Sequence, residues 1–231
     1  MPGLDMLRSL RRDVSEYTQV PPLQFRHVAW PSTERLAASW RATKPVGITC
    51  IERWYEANSR DYLLDLAWWH LTVALRRHWT RLIVERFADC HTVLDYGCGI
   101  GSDGLTLADN GHEVTFADLR GQPIKFARWR AERHGLTSQC NWVEGKPTLA
   151  LCRQIDAIIL IDVLEHLPDW PEVLRLAMLR SKLLAISAPF APEGEGSSVR
   201  HPQHLPEGRR RMVDMLALRG YVPEGALFWR R

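Results

Sequence analysis

Two short stretches of this 231-residue chain carry residue types at spacings that could do chemistry. The first runs from Thr92 to Asp118. Val93-Leu94 ends in Asp95, and Gly97, Gly99 and Gly101 follow at alternate positions before an apolar-periodic segment through Leu105, Leu107 and Ala108. That order reads as strand, glycine turn and helix. Glycine lets a backbone turn sharply, and its missing Cβ lets a ligand lie against the main chain. A second apolar run, Val114 to Ala117, ends in Asp118, seventeen residues after Gly101. A carboxylate there could accept hydrogen bonds from both hydroxyls of a ribose. The second stretch is Asp162-Val163-Leu164-Glu165-His166-Leu167, charged side chains set directly after the apolar run Ile155 to Ile161. Ligands of open α/β sheets bind beyond the carboxyl ends of the strands, where this cluster would stand.

His201 and His204 lie in the proline-rich segment Pro189 to Pro206, a loop that a parallel sheet would bring beside His166. Three readings of these residues stand side by side. Glu165, His166 and His204 could chelate a divalent metal with mixed oxygen and nitrogen ligands and lower the pKa of a substrate hydroxyl. Alternatively His166 or His204, with a reference pKa of ~6.5, acts as a general base. The third reading has His166 packing the interior and the loop histidines in solvent.

The glycine order separates two cofactor classes. A dinucleotide loop wants G-x-G-x-x-G, with a pyrophosphate on the helix N-terminus, and a redox domain using NAD is the rival on that ground. Here the order is D-Y-G-C-G-I-G. The stretch resembles the first motif of the class I S-adenosylmethionine-dependent methyltransferases, an acidic residue followed by G-x-G-x-G. The resemblance covers about residues 90 to 230. It implies that Gly97, Gly99 and Gly101 line the methionine part of S-adenosylmethionine, that Asp95 orders the loop or holds the amino group, and that Asp118 with the adjoining Leu119 takes the ribose. It also implies an acidic residue near the adenine amino group, for which Glu144 is the nearest candidate. Asp162 would close the cofactor site at the end of the fourth strand. The hexapeptide from Asp162 resembles the E-x-x-E-H-x segment of ubiquinone-biosynthesis O-methyltransferases and of Hen-type small-RNA 2′-O-methyltransferases, in which the acidic residues and the histidine can hold a metal. Asp162 stands where those families have the first Glu.

A length of 231 residues and 45% hydrophobic content suit one α/β domain with an appendage. The net charge of +3 demands neither nucleic acid nor an acidic membrane. Arg209 to Arg211 with Arg219, Arg230 and Arg231 are the one basic track an RNA substrate could use, and a helical row of arginines is more simply a solvated face. No apolar window approaches the ~18 residues of a membrane span, and five cysteines without a C-x-x-C pair fit a reducing compartment. The expected place is the cytoplasm, the expected partner a small-molecule acceptor.

The elements that must position these residues follow from periodicity. Strands are expected at Val93-Leu94, Val114 to Ala117, Cys140 to Val143, Ile155 to Ile161 and Leu183 to Ser187, with helices near Gln122 to His134, Trp170 to Ser181 and Leu205 to Arg219. A hairpin is expected around Pro223-Glu224-Gly225. The fold is therefore α/β, a Rossmann-like, mostly parallel, doubly wound sheet with a helical N-terminal extension. Residues 1–88 form that extension and cap, and 89–231 the cofactor-binding domain. Six of the ten tryptophans precede the glycine loop, and Trp54, Tyr55, Tyr62, Trp68, Trp69 and His70 are candidates to line the pocket. Pro21, Pro22, Pro31 and Pro45 should break residues 20–50 into extended pieces with a short helix near Glu34 to Arg41. Cys50 to Ala88 should form one long or two shorter helices, with Asp61 as a possible N-cap and Leu64, Ala67, Trp68, Leu71, Leu75, Leu82 and Val84 on the buried side.

Overall fold

The computed structural model describes residues 5–145, 154–190 and 208–231. Five helices come first: α1 (Asp5–Thr18), α2 (Phe25–Thr43), α3 (Ile48–Ala57), α4 (Ser59–Thr72) and α5 (Ala74–Arg86). Strand β1 (Thr92–Tyr96), helix α6 (Ser102–Asp109), β2 (Glu113–Asp118), α7 (Gln122–Arg133), β3 (Cys140–Glu144), β4 (Ala157–Ile161), α8 (Trp170–Arg180) and β5 (Leu183–Ser187) then alternate. Helix α9 (Arg209–Leu218) and the hairpin β6 (Val222–Glu224) and β7 (Phe228–Arg230) end the chain. The seven-stranded sheet has the order β3-β2-β1-β4-β5-β7-β6. Its first five strands are parallel, and β7 pairs antiparallel with both β5 and β6.

The order reverses between β1 and β4, and β1 ends in the glycine loop while β4 ends at Asp162. Both chemical stretches therefore meet at the carboxyl edge of the two central strands, the switch point where open sheets bind ligands. Strand β4 is buried along its length. Ala157, Ile159 and Ile161 belong to the core on one face, with Phe87 just after α5 and Leu105 of α6. Ile158 and Leu160 belong to the core on the other, with Leu174 of α8 and Leu216 of α9. A strand covered on both faces must be apolar at every position, and this one is.

The N-terminal half departs from the sequence reading in two places. Helix α2 runs unbroken across Pro31, where broken, extended chain was expected. An interior proline costs ~3 kcal/mol or more, but α2 buries Phe25, Ala29, Leu36 and Ala37, and each large apolar side chain removed from water returns ~1.5–3 kcal/mol. Packing outweighs the break. The second departure is that Cys50 to Ala88 forms parts of three helices, with breaks at Asn58 and Val73. Asn58, not Asp61, stands at the N-cap of α4, and Asp61 instead binds the Arg35 guanidinium through both oxygens at 2.6 and 3.0 Å. Leu64 and Ala67 are buried as expected, Trp68, Leu71, Leu82 and Val84 are half-buried, and Leu75 is exposed because the chain turns just before it. The buried stripe of α1 is Met6, Leu10 and Val14.

These helices form a core of their own, in which Leu10, Val14, Phe25, Ala29, Leu63, Leu64 and Ala67 meet Phe126 of α7 and Ile100 of the glycine loop. A smaller cluster at the tip joins Leu36, Ile51, Trp54 and Tyr55 to Leu119, the residue after β2.

Candidate functional site

The glycine loop owes its shape to backbone conformations that side chains resist. Gly97, Gly99 and Gly101 have φ of +71°, +53° and +69°. At Gly97 the space is closed as well, since a Cβ would lie 2.4 Å from Cγ2 of Val163. The loop is held from several sides. Ala117 O accepts from the N–H groups of Gly97 and Cys98 at 2.7 and 3.2 Å, and Asp118 Oδ2 accepts from Gly99 N–H at 2.5 Å. Asp118 Oδ1 accepts from Leu119 N–H at 2.7 Å. Burial lifts the Asp118 carboxyl to about 6, against the pull of those two bonds.

Asp95 lies behind the loop. It is buried, its Oδ2 accepts from Gly104 N–H in the first turn of α6 at 3.1 Å, and burial with the nearby Asp103 raises its pKa to about 8. Gly104 had no place in the sequence reading, yet a Cβ there would meet Phe116 at 2.4 Å and Asp95 at 2.8 Å. Asp103 itself is held by a buried bidentate contact from Arg76 and by Thr80 at 2.6 Å.

A cavity of about 870 Å³ opens over the carboxyl edge of the sheet. Gly97, Gly99, Asp118, Leu119 and Asp162 line it, whereas Asp95, Gly101 and Glu144 do not. Glu144 stands opposite Asp118 in the β2–β3 register and is paired with Arg128 at 2.7 Å. The opposite wall comes from the N-terminal helices: Tyr55, Tyr62, Trp68, Trp69 and His70, all expected there, and Trp30 and Arg76, which were not. Trp54 lies outside the lining, edge-on to Trp40 and Tyr55 at 4.9 and 5.0 Å. Burial and the charges of Arg76 and Arg130 push the His70 imidazole well below its usual pKa and keep it neutral.

Beyond β4, the backbone of Asp162 takes a φ of +54°, a left-handed conformation that Asp tolerates better than most residues. Its Oδ1 accepts from Ser187 Oγ at 2.8 Å, which fixes the turn into the following segment. His166 Nδ1 is 2.9 Å from the Tyr55 hydroxyl, so a residue of α3 meets the motif after β4 across the cavity. Nε2 of His166 is 3.7 Å from Glu165 Oε1. Glu165 is fully buried, neither of its oxygens has a hydrogen-bond partner among the described residues, and burial with the Asp162 charge raises its pKa well above the usual range. Tyr55 is likewise pushed well above 10, first by burial and then by neighbouring Tyr62 and Glu165.

His201 and His204 lie outside the described residues, as does most of the loop that holds them. Two of the three expected metal ligands, Glu165 and His166, are thus adjacent. Among the described residues no group of three or more His, Cys, Asp or Glu side chains is arranged to hold a metal ion. Arg209 to Arg211 are exposed on α9 and do not line the cavity. No described helix is long and apolar enough to cross a membrane.

Comparisons with known proteins bear on the family and the fold. The chain is 38% identical over 81 residues to the ubiquinone biosynthesis O-methyltransferase of Idiomarina loihiensis, covering 33% of this chain and 32% of the relative. It is 30% identical over 89 residues to glycine N-methyltransferase of Rattus norvegicus, covering 35% and 30%. The matched stretch thus spans about a third of the length of these curated relatives. In fold it is similar to an O-methyltransferase family protein from Burkholderia thailandensis, with a TM-score of 0.61 at 18% identity over 90% of this chain and 70% of that one. It is also similar to magnesium protoporphyrin IX methyltransferase from Synechocystis PCC 6803 with bound S-adenosylmethionine, with a TM-score of 0.56 at 17% identity over 78% and 93%. The methyltransferase domain family model matches residues 67–214, from the middle of α4 through β5 into α9. With the glycine loop, the acidic end of β2 and the sheet order inside or framed by that span, the chain belongs to the methyltransferase domain family, among the class I S-adenosylmethionine-dependent methyltransferases.

Proposed function

We propose that the protein transfers the methyl group of S-adenosylmethionine to a hydroxyl oxygen of a small molecule. The observation that carries this reading is one cavity lined at one side by Gly97, Gly99 and Asp118 and at another by the hydrogen-bonded pair Tyr55 and His166. Its volume of about 870 Å³ lies in the upper part of the ~300–1,000 Å³ usual for ligand sites, room for a cofactor and a modest acceptor together. Asp118 would take the ribose hydroxyls, and the bare backbone at Gly97 and Gly99 would let the methionine part lie close. Asp95 orders the loop through Gly104 and does not touch the ligand.

A sulfonium methyl is already electrophilic, so the protein's work is alignment and proton removal. The acceptor oxygen forms its bond to the methyl carbon as the carbon–sulfur bond breaks, and the hydroxyl proton leaves to a base. Tyr55 and His166 form that base as a unit. With its pKa held well above 10, the phenol cannot retain a negative charge, so as its oxygen takes the acceptor's proton it gives its own O–H proton to His166 Nδ1, and the positive charge rests on the imidazole. Such machinery serves a hydroxyl acceptor. A neutral amine needs no base before attack. The proton path is Tyr55 to His166, and no step is routed through a divalent ion.

Residues 1–88 serve as the cap in this reading, because α2, α3 and α4 supply the aromatic wall. Calorimetric titration with S-adenosylhomocysteine tests the cofactor, and release of that product over a panel of small hydroxylated acceptors tests the reaction. His166→Ala should keep cofactor binding and lose turnover, and chelator should change neither. Failure of the unsubstituted protein to bind S-adenosylhomocysteine would sink the assignment.

A further inference from the structure

One buried guanidinium joins three parts of the molecule that are far apart in sequence. Arg130 of α7 is fully buried. Its Nε is 3.3 Å from Asp13 Oδ2 on α1, its Nη2 donates to Met6 O at 2.5 Å, and its Nη1 donates to Ile100 O at 3.2 Å. Ile100 sits between Gly99 and Gly101, is 1% exposed and lines the cavity. Its side chain packs in the same cluster as Leu10 and Val14 of α1. Asp13, fully buried as well, is further held by Ser9 Oγ at 2.6 Å and His134 Nε2 at 3.0 Å. The carbonyl of Ile100 in the glycine loop and the docking of the first helix therefore depend on the same fork of donors. Only a planar guanidinium can serve three acceptors in fixed directions.

We infer that Asp13 and Arg130 are positioning residues for the cofactor: the docking of α1 through this pair sets the glycine loop at Ile100, so that α1 and S-adenosylmethionine are thermodynamically linked. The inference rests on the reading that the glycine loop binds S-adenosylmethionine. Gly99 N–H is held by Asp118 and Ile100 C=O by Arg130, so two peptides of the loop, Cys98–Gly99 and Ile100–Gly101, are each tied to a side chain. Release of Arg130 frees one side of a loop whose backbone must lie against the ligand. Linkage is reciprocal: if α1 docking raises cofactor affinity, the bound cofactor holds α1 down by the same factor.

The test uses the full chain and S-adenosylhomocysteine. Arg130→Lys keeps a positive charge for Asp13 but cannot also reach both carbonyls. It should lower affinity by about tenfold, within the usual range for coupled sites, at a temperature where circular dichroism shows both proteins folded. Asp13→Asn should lower it in the same direction. In the unsubstituted protein, saturating ligand should slow hydrogen exchange of the α1 amides, and in Arg130→Lys that effect should shrink. A purely structural role would lower the melting temperature and leave affinity at matched folding unchanged. Wild-type affinity in folded Arg130→Lys, or α1 exchange indifferent to ligand in the unsubstituted protein, would overturn the inference. Should Arg130→Lys fail to fold, Asp13→Asn and the exchange measurement decide alone. Absence of any binding by the unsubstituted protein would overturn the cofactor reading and this one with it, a different result from binding without coupling.

Discussion

Asp118→Asn separates the charge of this side chain from its shape. The carboxylate accepts two backbone N–H bonds, from Gly99 and Leu119, yet burial still lifts it from the usual 3.8 to about 6. That rise corresponds to about 3 kcal/mol. Because the folded-state pKa lies above the unfolded one, the folded chain binds more protons between pH ~4 and ~6. Stability therefore falls as pH climbs through that window, and the full cost is present above it. Asn carries no charge, so its stability relative to wild type should improve by about 3 kcal/mol between pH 4 and 7 in urea titrations. Binding should move the other way. In the proposed site the ribose hydroxyls donate to the ionised carboxylate, whose fraction falls from ~0.9 at pH 7 to ~0.1 at pH 5, so wild-type affinity for S-adenosylhomocysteine should drop about tenfold. The variant should bind more weakly at pH 7, by ~10- to 100-fold for loss of charge-assisted hydrogen bonds worth ~1.5–3 kcal/mol, and its affinity should be flat between pH 5 and 7. Calorimetry at several pH values reads both curves. Parallel profiles for variant and wild type, or equal affinity at pH 7, would refute the role given to Asp118.

Gly97→Ala combines a φ of +71° with a Cβ 2.4 Å from Val163. It should cost ~2–4 kcal/mol in urea unfolding and abolish cofactor binding, with Val163→Ala restoring part of the stability, and a variant as stable as wild type would contradict the geometry. Tyr55→Phe keeps the ring contacts with Trp54 and Tyr62 but loses the hydroxyl on His166. Turnover of the acceptor found by screening should fall on the order of 10²-fold and its pH profile should shift, with S-adenosylhomocysteine affinity unchanged. Unaltered turnover would remove Tyr55 from the proton path. Glu165→Gln removes a buried carboxyl whose pKa is raised from 4.5 by burial and Asp162. The folded chain holds that proton more tightly, so the wild type loses stability as pH rises above ~4.5. The variant should be at least as stable at pH 7 and lose that advantage near pH 4, which thermal melts across pH would show.

The catalytic sheet was legible because its signals are local. β4 is buried on both faces and reads as an uninterrupted apolar run, and the alternation of Gly97, Gly99 and Gly101 reflects backbone angles that no distant contact has to explain. The hairpin around Gly225 was equally local. The cap was not. Nothing near Pro31 announces that Phe25 and Leu36 bury enough surface to carry a helix through it, since Phe25 clusters with Leu63 and Leu64 of α4 and Leu36 with Ile51, Trp54 and Tyr55 of α3. Asp61 reads as an N-cap by its type, but an arginine on another helix takes it. Glu144 had the position expected of an adenine contact and is paired with Arg128, a residue of α7 that no local pattern ties to it.

The same division runs through the site. On the proposed cofactor side Gly97, Gly99, Asp118, Leu119 and Asp162 each come from a strand end or the turn after it, so sequence order locates them. At the acceptor side the pair Tyr55 and His166 spans 111 residues, and behind the glycine loop the Arg130 fork reaches back 117 residues to Asp13 and 124 to Met6. A buried Asp13 within an arginine-rich helix reads as a solvated face until its partners are in view. Contacts of that range exist only once α1, α3 and α7 have packed, so the strand-end turns are specified locally while the acceptor wall and the support under Ile100 depend on the cap. Substitutions in α1 to α4 should accordingly act on the acceptor and on loop order, whereas those in the β1 and β2 turns act on cofactor binding directly.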